Sequence, residues 1–164
     1  MAGLIALAMT LTTACSPGAS RSDVTVKQLD ERSEQIGQSL TATIDGVDRY
    51  QDDISGGGEM WENAEVNDDD PNGWRYWQWS AAIELAPDAE LTPQQAADRM
   101  IEFLEEDGWT ADEPAVDTGS DRLGFRKSDD LGDGWYVEIT YWKDPPPDPQ
   151  NLSVTVISPS TNRP

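Results

Sequence analysis

The chain has 164 residues and a single cysteine, and its 32 acidic and 11 basic side chains give it a formal net charge of −21. Such a field repels nucleic-acid phosphates and anionic lipid head groups, which argues against nucleic-acid binding and against a basic membrane-binding patch. Histidine is absent, which removes the usual Ser-His-Asp and Cys-His arrangements and most zinc sites. The composition therefore favours a protein without enzyme activity or cofactor, whose acidity serves solubility outside the cell.

The N-terminal residues have the pattern of a targeting signal. Apolar residues 3–9 lead through residues 11–14 to Cys15, which resembles the lipobox of a bacterial lipoprotein, where small residues precede the cysteine that receives the lipid. An ordinary cleaved secretory signal is the alternative, and the apolar run is shorter than the roughly 20 residues of a transmembrane helix. We predict a signal peptide over residues 1–14, lipidation of Cys15, and anchoring on the outer face of the cell membrane through the lipid.

Composition divides the rest of the chain into a tether, a folded part and a tail. Residues 15–22 are rich in Ser, Pro and Gly, which is typical of a flexible linker. If the cysteine carries lipid, no disulfide forms, and the core alone must stabilise the fold, as about 150 residues can do in one domain. We predict a single domain over residues 23–158, a disordered tail over residues 159–164, and a monomer.

The domain begins with a predicted helix and a predicted loop. Leu29, Ser33, Ile36 and Leu40 recur at steps of three and four, which indicates an amphipathic helix over residues 24–47 capped by Asp23 or Thr25. A glycine triplet and an acidic run then predict a long irregular loop over residues 51–73.

A strand and a well-marked helix follow. Residues 74–85 alternate with period two, and the face with Trp77 and Trp79 is the more apolar and is predicted to enter the core. The sequence Thr92-Pro93-Gln94-Gln95 is a capping box with proline at the first helical position, and Gly108 can end the helix. These signals predict a helix over residues 93–107.

The last third of the chain predicts strands at 122–127, 135–142 and 151–158, with a weaker one within 109–115. Asp133-Gly134 predicts the hairpin turn between the first two. The element order predicts an α+β fold with two helices packed on one face of a mostly antiparallel four- to five-stranded sheet. The predicted core comprises Leu29, Ile36, Leu40, Trp77, Trp79, Ile83, Met100, Leu104, Val137, Ile139, Val154 and Val156.

The layout also resembles a known group of proteins. The lipobox, the capped helix that begins Leu91-Thr92-Pro93, its Gly108-Trp109 exit and the late strands 135–142 and 151–158 are similar to those of small secreted actinobacterial lipoproteins, with the mycobacterial LppA-type lipoproteins nearest. The resemblance covers most of the mature chain at the level of layout. It implies an envelope lipoprotein with a small α+β domain, and it implies no site residues.

Residues 68–73 match the first half of a calcium-binding loop. Asp68, Asp70 and Asn72 place oxygens at positions one, three and five, with glycine at six. Position twelve, where a bidentate Glu would complete the shell, is Trp79 in the predicted strand. We therefore expect an acidic turn and no specific calcium site.

Seven tryptophans raise the possibility of a carbohydrate-binding surface, because aromatic rings stack on the apolar faces of sugars. Large aromatics also fill the cores of small domains, so core packing is the competing interpretation. If the helices cover one face of the sheet, the other carries Trp74 and Tyr76 with either Trp135 and Tyr141 or Tyr136 and Trp142. The site candidates are Trp74, Tyr76 and Trp142.

The carboxylate pairs Glu105-Glu106 and Asp129-Asp130 show no spacing that fixes them across a cleft, as a glycosidase requires, and we interpret them as solvated surface. We predict a non-catalytic, lipid-anchored envelope protein that acts as an interaction or binding module. The alternative is a glycan-binding or glycan-processing module that uses exposed Trp and Tyr rings with carboxylates. A cleft that holds two carboxylates between exposed rings would favour the alternative, and a flat or closed surface would favour the first interpretation.

Overall fold

A computed structural model describes residues 24–44, 47–52, 55–58, 76–145 and 148–160. They form an antiparallel sheet with two helices. The elements in chain order are α1 (Val26–Thr41), β1 (Val47–Asp52), β2 (Ser55–Gly58), β3 (Tyr76–Leu85), α2 (Pro93–Glu106), β4 (Thr110–Ala111), β5 (Ala115–Val116), β6 (Ser120–Asp129), β7 (Gly132–Trp142) and β8 (Gln150–Ile157).

The strand order across the sheet is β1-β3-β8-β7-β6-β4. β1 and β2 pair with successive stretches of β3 and together form one interrupted edge. β4 and β5 do the same along β6 at the other edge. The sheet is thus six strands wide with eight strand segments. The predicted α+β class is confirmed, and the sheet is wider than the predicted four to five strands because the edge formed by β1 and β2 was not predicted.

The two helices and one face of the sheet share a single apolar core. The inward face of the sheet contributes alternate residues of β3, β7 and β8, as period-two geometry requires. Ten of the twelve predicted core residues are buried, while Ile36 and Trp77 are partly buried and pack against that core.

The first helix is shorter than predicted. It ends at Thr41, and Val47, which was predicted to belong to the helix, opens β1. The Thr43 hydroxyl donates to the Leu40 carbonyl at 2.7 Å, and the Thr43 amide donates to the same oxygen at 3.1 Å. Threonine thereby occupies an acceptor that a continuing helix would use, which ends the helix.

The predicted loop over residues 51–73 is wrong at its start. The end of β1 and all of β2 lie there, paired with β3. Glycine-rich and acidic composition disfavours strands locally, but pairing with a neighbouring strand overrides that preference. The rest of the predicted loop, residues 53–54 and 59–73, lies outside the described residues.

Gly37 lies on the buried side of α1, where the indole ring of Trp79 packs directly against it. A Cβ placed on Gly37 would overlap three ring atoms of Trp79. The missing side chain of Gly37 makes room for this indole ring in the core. The other buried residues of α1 are Leu29, Ser33 and Leu40.

The second helix matches its local signals. Thr92 caps it, with the reciprocal capping box to Gln95 in place and Pro93 in the first turn. Gly108 follows with φ of +83°, the left-handed conformation that glycine adopts without strain. Trp109 then returns to the core, where it is buried.

The β6–β7 hairpin turns at residues 130–131, so the predicted turn at Asp133-Gly134 is wrong. The Asp129 carboxylate accepts from the Leu131 amide and from the Trp135 indole N–H, both at 2.8 Å, which fixes the earlier turn. Gly134, with φ of +93°, lies instead at a register shift within the hairpin. Its conformational freedom thus serves a bulge.

The ends of the predicted domain are partly described. Pro159 is buried and Ser160 is half-buried, so packing continues two residues past the predicted limit at 158. Residues 161–164 of the predicted tail lie outside the described residues, as do the predicted signal peptide and the tether with Cys15. The single-domain and monomer predictions remain predictions.

Candidate functional site

The sheet face opposite the helices carries alternate residues of β3, β8, β7 and β6, and we call it the open face. Cross-strand pairing arranges it in rows. The first row is Gln78, Ile157, Tyr136 and Arg126; the second is Ser80, Thr155, Glu138 and Gly124; the third is Ala82, Ser153, Thr140 and Arg122. The fourth row comprises the pairs Glu84–Asn151 and Trp142–Ser120, which lie one residue beyond the pair Tyr141–Leu152 that joins β7 to β8.

A cavity of about 480 Å³, which we call the tyrosine cavity, lies at the first row. Tyr76 and Tyr136 line it together with Ile157, and Gln78 and Arg126 add polar groups. Its rim is formed by Val24, which lies just before α1, by the β6–β7 turn and by the end of β8. The volume is within the range of small-molecule sites, which combine apolar walls with a few polar groups.

The Tyr136 ring is fixed from several sides. It lies over Gly124, where an added Cβ would come within 2.7 Å of the tyrosine oxygen. Its hydroxyl donates to Glu138 Oε2 at 3.2 Å, and the Arg126 guanidinium lies 4.8 Å from the ring centroid. Burial, the Glu138 charge and the hydrogen bond to Glu138 together raise the pKa of Tyr136. The ring is therefore a neutral, positioned surface at neutral pH.

The cationic groups of the open face are paired. Arg126 Nε donates to Asp112 Oδ2 at 2.8 Å, and Arg122 Nε lies 3.5 Å from Glu138 Oε1. Each guanidinium thus has a carboxylate partner, which reduces the attraction of the face for an anion. A ligand of this face should be polar and uncharged.

Ser158 forms a rigid part of the rim. The Trp77 amide donates to Ser158 Oγ at 2.7 Å, and that hydroxyl donates to the Pro159 carbonyl at 2.8 Å. The hydroxyl is buried and satisfied by backbone on both sides. An activated serine nucleophile needs a general base as its partner. Because the partners of Ser158 are backbone groups, we interpret this residue as part of the cavity wall and not as a nucleophile.

A second cavity of about 430 Å³, which we call the tryptophan cavity, lies at the fourth row. Its lining includes Trp142, Glu84, Asn151 and Ser153. Trp142 is 38% exposed, which makes it one of three exposed large hydrophobic residues in the part of the chain that the structure describes. An exposed ring beside a cavity is a candidate contact for a ligand.

Two neighbours of Trp142 hold the end of β7. The Tyr141 hydroxyl donates to Asp121 Oδ2 at 2.7 Å, and Lys143 donates to the other oxygen of the same carboxylate. Burial and the bond to Asp121 raise the pKa of Tyr141 to about 12, and the bonds from Lys143 and Tyr141 lower the pKa of Asp121. These bonds fix the strand from which Trp142 projects.

The aromatic candidates are therefore separated. Tyr76 lines the tyrosine cavity and Trp142 the tryptophan cavity, while Trp74 lies outside the described residues. Of the two pairs left open by the sequence, Tyr136 and Trp142 lie on the open face, and Trp135 and Tyr141 are buried in the core. Tyr136 was not among the leading candidates, although its parity with Trp142 along β7 is the signal that finds it.

The calcium candidates Asp68, Asp70 and Asn72 also lie outside the described residues. Within the described ranges, no three acidic, cysteine or histidine side chains cluster closely enough to hold a metal ion. No helix in these same ranges is long and apolar enough to cross a membrane.

Comparisons of the chain with protein-family models, with curated proteins and with solved structures gave no match.

Proposed function

We propose that the protein is a non-catalytic binding module of the cell envelope, anchored through lipid on Cys15, and that its tyrosine cavity receives an uncharged carbohydrate. The observation that carries the proposal is the placement of Tyr76 and Tyr136 in one cavity on the open face. A sugar ring presents an apolar face for such rings and hydroxyls for side chains at its edge. Gln78 and Arg126 are placed for the second role.

The charges support binding over processing. Asp112 is paired with Arg126, and Glu138 accepts from Tyr136 and pairs with Arg122. A glycosidase needs a general acid whose pKa is raised and a second carboxylate across the scissile bond. Both carboxylates are engaged by a guanidinium group of the sheet, an arrangement that suits orientation of a ligand more than proton transfer.

Replacement of Tyr136 by alanine is expected to weaken carbohydrate binding at least about tenfold, because one stacking surface of the cavity is lost. Tyr136→Phe keeps the ring and is expected to stay within about threefold of the unchanged chain. Calorimetric titration with neutral hexose oligosaccharides measures both variants. Equal affinity of the alanine and phenylalanine variants would contradict the role of the ring, and failure of the unchanged chain to bind any neutral oligosaccharide would contradict the proposed ligand class.

Replacement of Cys15 by serine is expected to abolish lipid anchoring, because the serine oxygen does not take the place of the sulfur as acyl acceptor. The variant should leave the membrane fraction or accumulate as an uncleaved precursor. Detergent-phase partitioning and intact-protein mass measure the two forms. A substituted chain that still partitions as a processed lipoprotein would contradict the anchor.

A further inference from the structure

The tyrosine and tryptophan cavities lie on the same face and on the same three strands. β3, β8 and β7 contribute lining residues to both. Tyr136 and Trp142 are six residues apart on β7, which at about 3.4 Å per residue separates them by about 20 Å. A single ligand that contacts both rings must therefore be elongated along the strands.

Between the two cavities, the side chains that β3 and β8 place on the open face are small. The open-face residues of β3 and β8 between the first and fourth rows are Ser80, Ala82, Ser153 and Thr155, none larger than threonine. Ser80 and Thr155 share a hydrogen bond of 3.2 Å between their hydroxyls. These small side chains leave a shallow path that offers hydroxyl groups as donors and acceptors.

The charges and hydroxyl groups along the path restrict the chemical class of ligand that can bind there. Arg122 and Arg126 are already paired with carboxylates, and the net charge of −21 opposes a polyanion. The hydroxyl groups of the path favour a hydroxyl-rich chain, and an aromatic ring at each end favours flat rings in the ligand. A β-1,4-linked hexose chain is extended, uncharged and rich in hydroxyls, whereas an α-1,4-linked chain coils away from a straight path.

We infer that the open face binds an extended, uncharged β-linked oligosaccharide that spans from the tyrosine cavity to the tryptophan cavity. This inference rests on the proposed function and adds to it a second subsite and a requirement for length. The tyrosine cavity alone accommodates a short saccharide. Trp142 contributes only when the ligand is long enough to reach it.

The test compares cellobiose with cellohexaose by calorimetric titration of the full chain, purified in a detergent without a sugar head group. Cellohexaose is expected to bind about tenfold tighter than cellobiose, the gain expected from one additional aromatic contact. Trp142→Ala should remove that gain and leave the affinity for cellobiose unchanged. Trp142→Phe, which keeps a ring, should retain most of it.

Val116→Ala is the matched control, because Val116 is another exposed large hydrophobic residue and lies on the edge strand β5, away from both cavities. It should retain the full gain with length. Equal affinities for the two saccharides, or an equal loss in Trp142→Ala and Val116→Ala, would overturn the inference and leave the short-ligand site intact. Absence of binding to both saccharides would overturn the inference, and absence of binding to every neutral oligosaccharide tested would overturn the proposed function as well.

Discussion

Truncation of Trp79 to alanine is expected to lower the free energy of unfolding by about 3–5 kcal/mol. The side chain is 1% exposed and packs between β3 and α1, against Gly37. Its removal loses the transfer free energy of the ring and leaves a cavity that the backbone of α1 cannot fill. Denaturation in urea measures the change, and Trp142→Ala on the open face should cost less than about 1 kcal/mol as the comparison. Similar losses at the two positions would contradict the packing described for Trp79.

The contact with Gly37 makes a sharper form of this prediction. In the unchanged chain, Gly37→Ala should destabilise by about 1–3 kcal/mol, because the added methyl group overlaps the ring. In the Trp79→Ala background the same substitution should stabilise by up to about 1 kcal/mol, since alanine is the better helix former. A double-mutant cycle measures this reversal of sign. Stabilisation by Gly37→Ala in both backgrounds would show that the ring does not lie against α1.

Replacement of Asp129 by alanine is expected to cost about 1–3 kcal/mol, because it leaves the Trp135 indole N–H and the Leu131 amide without their acceptor. The same carboxylate accepts from Arg32 Nε at 3.3 Å and so joins α1 to the hairpin. Asp129→Asn keeps one carbonyl acceptor and should lose less. Urea denaturation gives the stabilities, and the indole proton resonance of Trp135 reports the bond directly. An unchanged indole resonance in the alanine variant would contradict this role.

Elements with local signals could be predicted from the sequence, and elements that depend on distant pairing could not. The capping box at Thr92 and the glycine at 108 specify both ends of α2 within the segment itself. β1 and β2 owe their extended conformation to β3, whose paired residues lie 18 (Gly58 to Tyr76) to 38 (Val47 to Leu85) positions further along the chain. No pattern within residues 47–58 predicts that partner.

The β6–β7 hairpin shows why the position of a turn cannot always be predicted from local composition. Asp133-Gly134 has the composition of a turn, and glycine does take a positive φ there, but the residue serves a bulge. A turn glycine and a bulge glycine have the same local signature. The turn position is fixed by the Asp129 carboxylate, which accepts from the Leu131 amide within the turn and from the Trp135 indole N–H beyond it.

The candidate site was also predictable only in part, because local periodicity places its residues on one face but does not say which face the helices cover. Period-two geometry places Tyr136 and Trp142 on one face and leaves only the choice of face open. That choice depends on which side the helices pack, a tertiary property. The contact of Tyr136 with Gly124, on the neighbouring strand, is equally absent from any local pattern.

Val24 lines the rim of the tyrosine cavity, nine residues after Cys15. A fully extended chain covers at most about 3.6 Å per residue, so a lipid on Cys15 would hold that rim within about 32 Å of the bilayer surface. Under the proposed anchoring, the cavity would therefore sample a thin layer next to the membrane. Its local ligand concentration would then be set by polymers attached to or adjoining that membrane, so weak affinity for a single saccharide would be enough for sustained occupancy.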